Sequence, residues 1–173
     1  DFRAPESFES ELVGDVLFST LGTTRKKAGS QEAQREVDYT FQYEAARSAA
    51  KNGVACYVLV SSTGADAGSS LFYNRMKGQL DQAVKELGFA RCHILRPSIL
   101  DGNRQESRPA ERLGLAVMHV LDYLPGLRAY RPIHAKTVAQ AMVHLAFSEE
   151  TGSYVHEAAQ LFELAAHEQK RAT

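Results

Sequence analysis

The sequence predicts an α/β fold in which parallel strands alternate with helices. Three short apolar runs carry this prediction: Val16 to Leu21, Tyr57 to Val60 and Cys92 to Leu95. Long stretches with helical patterning separate these runs, as in sheets whose parallel strands are joined by crossover helices. The spacing therefore predicts two consecutive strand-helix-strand units.

Two crossover helices are predicted between these strands. The first spans Gln31 to Lys51, which is rich in Ala, Glu, Gln and Arg, and Asn52-Gly53 then provides the residues that commonly end a helix. The second spans Phe72 to Leu87, where apolar residues recur at helical spacing, and it ends at Gly88. Both units therefore have the length and the boundaries of a complete crossover.

The last third of the chain predicts further helices and one more strand. Helices are predicted from Pro109 to Leu121 and from about Lys136 to Phe147, on either side of a Leu124-Pro125-Gly126 break. Ser153 to His156 predicts a short last strand before a polar closing helix. With 173 residues, 44% of them apolar, we expect residues 1–173 to belong to a single domain.

The charge and cysteine content exclude several classes of function. The net charge is −1 with mixed signs, which argues against nucleic acid or an anionic membrane as a partner. No apolar run approaches the roughly 18 residues of a membrane span, and the first residues do not resemble a secretory signal. Cys56 and Cys92 lie in predicted buried strands without zinc-ligand spacing, so we expect reduced core residues and a cytoplasmic location.

The main catalytic candidates follow the second predicted strand, which ends in Ser61-Ser62-Thr63-Gly64. Tyr73 and Lys77 lie four residues apart on the next helix, so they face the same way at the carboxyl end of the strands. A lysine ammonium beside a phenol favours the phenolate and lowers its pKa, which suits proton exchange with an alcohol or a carbonyl. A hydroxyl from Ser62 or Thr63 would hold the carbonyl oxygen.

An accidental surface pair is the alternative interpretation of Tyr73 and Lys77, because a Tyr-x-x-x-Lys spacing arises easily by chance. The position of the pair favours the functional interpretation. It opens the helix after a buried strand that ends in three hydroxyl residues, as the chemistry requires.

Two further segments are candidates for ligand binding at the carboxyl ends of strands. In Thr20-Leu21-Gly22-Thr23-Thr24, the glycine would let backbone approach a ligand, although an ordinary glycine after a strand is the alternative. In Arg96-Pro97-Ser98-Ile99-Leu100, the proline ends the strand. Arginines here and in residues 101–108 would suit a phosphate, with a solvated polar loop as the alternative.

Metal and serine-hydrolase chemistry have no support in the sequence. The six histidines are scattered, and His119 and His144 fall in amphipathic helices, where a packed histidine is the ordinary explanation. We therefore predict no metal ligand. A Gly-x-Ser-x-Gly elbow is absent as well.

Five ordered motifs resemble a known family. They are Leu21-Gly22-Thr23-Thr24-Arg25-Lys26-Lys27-Ala28-Gly29, Ser61-Ser62-Thr63-Gly64-Ala65-Asp66, Phe72-Tyr73-Asn74-Arg75-Met76-Lys77-Gly78, Leu95-Arg96-Pro97-Ser98 and Arg104-Gln105-Glu106-Ser107-Arg108-Pro109. In order and spacing, from about residue 1 to about residue 147, they resemble the Tat-interacting oxidoreductase family of atypical short-chain dehydrogenases, as an NAD(P)-binding relative of bacterial type.

The resemblance implies a Rossmann-like parallel sheet with flanking helices, NADP or NAD as cofactor, and oxidoreductase activity. By position it implies that Tyr73 donates or accepts the proton, with Lys77 as its partner and as a contact to the nicotinamide ribose. The third catalytic hydroxyl stays open between Ser62 and Thr63. The residues implied or predicted to bind the cofactor are Leu21, Gly22, Thr23, Tyr73, Lys77, Pro97, Leu100 and Arg108.

The chain contains no glycine-rich phosphate-binding turn. We therefore expect an N-terminally incomplete domain whose first strands and glycine-rich turn lie upstream, an exposed edge on its first strand, and little cofactor affinity for this chain. The substrate side is expected at about residues 101–135.

The sequence thus predicts an NAD(P)-dependent oxidoreductase that acts on a small carbonyl or alcohol by Tyr/Lys acid-base chemistry. The alternative is a non-catalytic dinucleotide-binding module with a regulatory or protein-interaction role. The outer faces of the two crossover helices are expected to include Tyr39, Tyr43, Ala46 and Ala50, which leaves room for a homodimer.

Overall fold

The computed structural model describes residues 1–101 and 131–171 of the chain. The strands are β1 (Val16–Ser19), β2 (Cys56–Val60), β3 (Arg91–Arg96), β4 (Leu100–Asp101), β5 (Ile133–His134) and β6 (Gly152–Glu157). The helices are α1 (Arg25–Ala28), α2 (Gln31–Arg35), α3 (Gln42–Lys51), α4 (Phe72–Lys85), α5 (Ala135–Ala146) and α6 (Ala158–Arg171), with 3-10 turns at Pro5–Ser7 and Glu9–Glu11.

Four parallel strands form the main sheet, in the order β1-β2-β3-β6. Cys56 of β2 lies opposite Val16 of β1 on one side and opposite Arg91 of β3 on the other. Arg91 in turn lies opposite Gly152 of β6. The predicted parallel α/β sheet is confirmed, and β1 lies at its edge, as expected.

Helices cover both faces of this sheet. On one face, Tyr57, Leu59 and Ile94 are fully buried against residues of α3 and α4, including Leu80. On the other face, strand residues such as Val58 and Leu95 pack against α5 and α6, where Leu161 is fully buried. Strand residues of alternating orientation therefore feed two separate hydrophobic clusters, which explains why the central strands are apolar without interruption.

The first predicted crossover helix is confirmed in position but not in regularity. α2 and α3 run on through a π-helical segment, Glu36–Phe41, which the sequence did not predict. The Ser30 hydroxyl caps the start by accepting the Ala33 N–H at 3.1 Å. Gly53 ends the helix with a φ of 80°, as expected for a glycine that follows a helix.

Other boundaries differ from the predictions in detail. β1 ends at Ser19 rather than Leu21, and β6 extends the predicted last strand by one residue at each end. The small two-stranded sheet of β4 and β5 was not predicted, because two paired residues leave no periodic pattern. The predicted helix from Pro109 to Leu121 lies outside the described residues.

The predicted outer helix face is wrong. Ala46 is fully buried in the core, and Tyr39, Tyr43 and Ala50 pack against that core. The rings of Tyr39 and Tyr43 also stack on each other at 6.1 Å between centroids. Ala46 faces the interior and the other three are partly buried against the core, so these residues provide no argument for a homodimer, which stays a prediction.

The other sequence predictions about packing concern cysteines and membrane spans. Cys56 and Cys92 are buried free thiols, as expected. Within residues 1–101 and 131–171, no helix combines the length and the apolar character that crossing a membrane requires.

Candidate active site

The predicted catalytic residues come together at the carboxyl ends of β1, β2 and β3. Ser62 and Thr63 follow β2 directly, and Tyr73 and Lys77 lie one turn apart in the first half of α4. Tyr73 is 39% exposed, whereas Lys77 is only 2% exposed. The phenol is therefore open to a ligand, and the ammonium is enclosed behind it.

The Lys77 ammonium is held at the end of β2. Its Nζ donates a hydrogen bond to the carbonyl oxygen of Val60 at 3.3 Å. Burial lowers the pKa of Lys77, and the carboxyls of Asp38 and Asp81 act in the opposite direction. These two acids therefore help to keep a buried lysine charged.

Tyr73 is a protonated phenol at neutral pH. Burial raises the pKa of Tyr73, the Ser62 hydroxyl acts against this rise, and the Asp38 carboxyl adds to it. We expected Lys77 to lower this pKa, but here the Lys77 ammonium bonds to Val60 and burial dominates. A protonated phenol suits proton donation to a carbonyl oxygen.

Ser62 and Thr63 have different roles in the structure. The Thr63 hydroxyl donates to the carbonyl oxygen of Arg96 at 3.0 Å, and the Thr63 N–H donates to the carbonyl oxygen of Pro97 at 3.0 Å. Thr63 thus ties the loop after β2 to the end of β3. The Ser62 hydroxyl lies beside the Tyr73 phenol and donates to the carbonyl oxygen of Thr63 at 3.3 Å.

Asp38 belongs to the site, and the sequence analysis did not identify it. It is 3% exposed, lies in the π-helical segment and accepts the Thr23 N–H at 3.2 and 3.3 Å with its two oxygens. A Cβ on Gly22 would lie 3.1 Å from the same carboxyl. Burial raises the pKa of Asp38, and Thr23 and Lys77 oppose that rise. A π-helical turn has no sequence signature, so this position could not be predicted.

The predicted cofactor-binding residues are partly brought together. Leu21 and Gly22 line a groove of about 410 Å³ beside β1, and the groove continues along Phe18. Pro97 is buried, and Leu100 is 39% exposed in β4. Arg108 lies outside the described residues.

Arg96 is not free to bind a phosphate. Its guanidinium donates from Nε to Asp81 Oδ2 at 3.0 Å and from Nη1 to Glu157 Oε1 at 3.1 Å. Because both carboxylates already neutralise this cation, the predicted phosphate contact is wrong for Arg96.

Histidines of the described residues take part in packing. His144 lies 3.7 Å from Glu168, and its ring stacks on His167. Across residues 1–101 and 131–171, no three side chains of metal-ligand type lie close enough together to hold a metal ion.

Solved structures with the same fold are all much longer than this chain. UDP-glucose 4-epimerase from Thermotoga maritima, determined with UDP-glucose, matches with a TM-score of 0.62 and 14% identity, covering 96% of this chain and 66% of the epimerase. dTDP-4-dehydrorhamnose reductase from Bacillus anthracis, in complex with NADP, matches with a TM-score of 0.62 and 14% identity over 96% of this chain and 68% of the reductase. The chain therefore shares a Rossmann-like fold with these two enzymes.

Sequence relatives come from fungi and are named Fmp52. Protein fmp52, mitochondrial, from Aspergillus niger is 50% identical over 97 residues, covering 56% of this chain and 42% of the relative. Protein FMP52, mitochondrial, from Coccidioides immitis is 38% identical over 146 residues, covering 80% of this chain and 59% of the relative. The chain spans about two fifths of the length of the first of these. No protein-family model matches the chain.

These relatives correct two expectations. The expected cytoplasmic location is contradicted, because relatives from Aspergillus and Scheffersomyces species are named as mitochondrial proteins. The narrower resemblance also changes: the relatives bear the name Fmp52 and not that of the Tat-interacting oxidoreductases, and they are fungal rather than bacterial. The Rossmann-like fold that the resemblance implied is confirmed.

Proposed function

We propose that this protein is an NAD(P)-dependent oxidoreductase of the short-chain dehydrogenase type, which exchanges a proton with a small carbonyl or alcohol substrate. One observation carries the proposal. An accessible phenol, Tyr73, lies one helical turn from the buried ammonium of Lys77, with the Ser62 hydroxyl beside the phenol. Carbonyl reduction requires a proton donor, a cation that stabilises the donor after it has lost its proton, and a hydroxyl that binds the carbonyl oxygen.

In the reducing direction, each of these residues has one task. The Ser62 hydroxyl donates to the carbonyl oxygen and orients it. Tyr73 then donates its phenolic proton to that oxygen as negative charge develops there, and the raised pKa of Tyr73 keeps this proton available at neutral pH. Lys77, one helical turn away, is the cation placed to offset the negative charge of the phenolate that remains, although burial outweighs its effect on the pKa of Tyr73 before the reaction.

A nicotinamide cofactor would supply the hydride. Leu21, Gly22 and Leu100 would lie along the cofactor, since they follow or form strand ends at the same edge of the sheet. Gly22 has no side chain, so the backbone at this position could approach the cofactor closely. The Lys77 ammonium has three N–H donors and one described acceptor, Val60, so it retains donors for ribose hydroxyls.

NADP, NADPH and NAD occur as bound cofactors of proteins with this fold. The rhamnose reductase binds NADP and MoeE5 binds NAD. RMD from Pseudomonas aeruginosa binds NADPH and matches with a TM-score of 0.61 and 15% identity over 98% of this chain and 72% of RMD. This supports NADP or NAD as the cofactor of our chain. Thr23 and Pro97 belong to the same strand-end loops, and Arg108 stays a prediction.

The test replaces the phenol while keeping its ring. In the protein as the cell makes it, Tyr73→Phe is expected to lower kcat for NADPH-dependent reduction of small aldehydes and ketones by about a hundredfold to ten-thousandfold. Nucleotide affinity, measured by titration calorimetry, is expected to stay unchanged. The matched control is Tyr154→Phe, at a tyrosine of similar exposure, 37%, on β6, whose hydroxyl donates to the carbonyl oxygen of Thr151.

Two outcomes would contradict the proposal. If Tyr73→Phe keeps full turnover, the phenol is not the proton donor. The unaltered protein could also bind NADPH but neither reduce any of the small aldehydes and ketones tested nor oxidise the corresponding alcohols. A non-catalytic dinucleotide-binding module would then explain the protein better than an enzyme.

A further inference from the structure

A second charged cluster lies one helical turn beyond Lys77, at the carboxyl ends of β3 and β6. It consists of Asp81 on α4, Arg96 at the end of β3 and Glu157 at the end of β6. The proton exchange proposed above does not use any of the three directly. Their arrangement nevertheless joins the helix that carries Tyr73 and Lys77 to two strands of the sheet.

The contact between Asp81 and Arg96 is close and shielded from water. Asp81 is 1% exposed, and its Oδ2 accepts from Arg96 Nε at 3.0 Å and lies 2.9 Å from Nη2. Glu157 meets the outer side of the guanidinium at 3.1 Å and is half exposed, with 52% of its side chain accessible. The inner carboxylate is thus fixed, and the outer one is in contact with solvent.

Asp81 also faces the catalytic side. It lies four residues after Lys77 on the same helix face, and its carboxyl raises the pKa of Lys77 against the effect of burial. The Ser61 hydroxyl lies beside Asp81 and acts against the rise of its pKa. On the far side, the Arg96 backbone carbonyl accepts the Thr63 hydroxyl. The cluster therefore lies one helical turn from the lysine on α4 and is hydrogen-bonded to the loop that carries Ser62.

We propose that Asp81, held in place by Arg96, is a positioning residue that fixes the Lys77 ammonium at the end of β2. This inference rests on the proposed function only in assigning proton exchange to Tyr73 and Lys77. The charged groups that act on Lys77 are the carboxyls of Asp38, from the π-helical segment, and Asp81, from α4. Tyr73 precedes Lys77 by one turn of α4, and Arg96 of β3 is paired with Asp81.

A purely structural ion pair makes a different prediction from a positioning residue. Buried ion pairs often contribute little to stability, so loss of stability does not separate the two roles. The direction in which the pKa of Lys77 shifts does separate them. Removing only the Asp81 charge leaves Lys77 buried with one acid fewer, so its pKa falls further. Loosening of the helix would instead admit water and move the pKa up towards its ordinary value.

The direct experiment is an NMR titration of side-chain carbons in protein labelled with ¹³C-lysine, with the Lys77 signal assigned from its absence in Lys77→Arg. In Asp81→Asn, we expect the Lys77 titration midpoint to move to lower pH. In Glu157→Gln, which removes a charge from the outer side of Arg96, we expect no movement. An unchanged or raised midpoint in Asp81→Asn overturns the inference, and so does an equal shift in Glu157→Gln.

A second variant covers the case in which Asp81→Asn does not fold. Asp81→Asn combined with Arg96→Gln replaces the buried ion pair by two neutral amides, a change that buried pairs often tolerate. The Lys77 midpoint is expected to fall in this double variant too, because the charges that act on the pKa of Lys77 are those of Asp38 and Asp81 and not that of Arg96. A midpoint at or above that of the unaltered protein refutes the positioning role.

Kinetics separate this inference from the proposed function. With an active carbonyl substrate, Asp81→Asn should lose kcat by about tenfold at the alkaline end of the pH profile and much less at neutral pH, because Lys77 loses its proton earlier. Equal losses at all pH values contradict the inference. If the unaltered protein shows no turnover, the proposed function fails, whereas the NMR titration still decides the role of Asp81.

Discussion

Gly78 offers the most direct test of how α4 is placed over the loop after β2. A Cβ at this position would lie 2.2 Å from the nitrogen of Ala67 and 2.3 Å from the carbonyl carbon of Asp66, where ordinary contacts begin at 3.4 Å. The loop backbone must therefore move by about 1 Å in Gly78→Ala. Forcing atoms into such a contact costs about 3 kcal/mol at the upper end of the usual range, and alanine regains about 1 kcal/mol in a helix. We expect Gly78→Ala to destabilise the fold by about 2 kcal/mol.

Calorimetric unfolding measures this effect. For a domain of this size, about 2 kcal/mol corresponds to a fall in Tm of roughly 4–8 °C. The matched control is Gly68→Ala in the same loop, where the added Cβ would meet only Asp66 Oδ1 at the ordinary distance of 3.5 Å. Its stability is expected to change by less than about 0.5 kcal/mol. A Tm for Gly78→Ala at or above that of the unaltered protein would refute the close approach of helix and loop.

Two further predictions concern stability. Burial, with the nearby His156, lowers the pKa of His93 from 6.5 to about 4. As the pH falls below about 6.5, the His93 imidazole takes up a proton in the unfolded chain before it does so in the folded protein. The free energy of unfolding is therefore expected to fall by up to roughly 3 kcal/mol between about pH 6.5 and pH 4. Denaturant unfolding between these pH values should show the loss, and His93→Gln should flatten it while exposed His134→Gln does not. Leu80→Ala, at a fully buried position, should cost about 2–5 kcal/mol in the same measurement, against less than about 1 kcal/mol for Val143→Ala, which is 39% exposed. A small cost at Leu80 would mean that α4 does not pack on the sheet as described.

Much of the fold could be predicted because its signals are local. The runs from Tyr57 to Val60 and from Cys92 to Leu95 are apolar on both faces, since helices cover both sides of the sheet, and this is visible in any window of a few residues. Glycines such as Gly53 and Gly88 end helices with positive φ, which is a property of a single residue. The positions of the strands and helices along the chain followed from these signals.

The predicted burial of individual helix faces was less reliable. Tyr39, Tyr43, Ala46 and Ala50 were assigned to an outer face but lie against the core. Helical spacing identifies which residues share a face, but not which face the sheet covers. The π-helical segment from Glu36 to Phe41 also rotates the face between α2 and α3, and no residue pattern marks it.

The candidate site also has a part that could be predicted from the sequence and a part that could not. Tyr73 and Lys77 could be predicted because their relationship is a spacing of four on one helix, and Ser62 and Thr63 because they follow a strand. The choice between Ser62 and Thr63 depends on which of the two hydroxyls donates to the carbonyl oxygen of Arg96 at the end of β3. That hydrogen bond joins residues far apart in the chain. Sequence could only leave it open.

The sequence by itself determined the parallel α/β architecture, its crossover helices and the Tyr73 and Lys77 pair, because each depends on periodicity within one element. Only the tertiary structure brought Asp38 to the Thr23 N–H and Asp81 to Arg96. These acids are separated from their partners by 15 residues each, on different elements. Their burial, and hence their effect on Lys77, arises only when helices close over the strand ends and exclude water from charges that would otherwise be solvated.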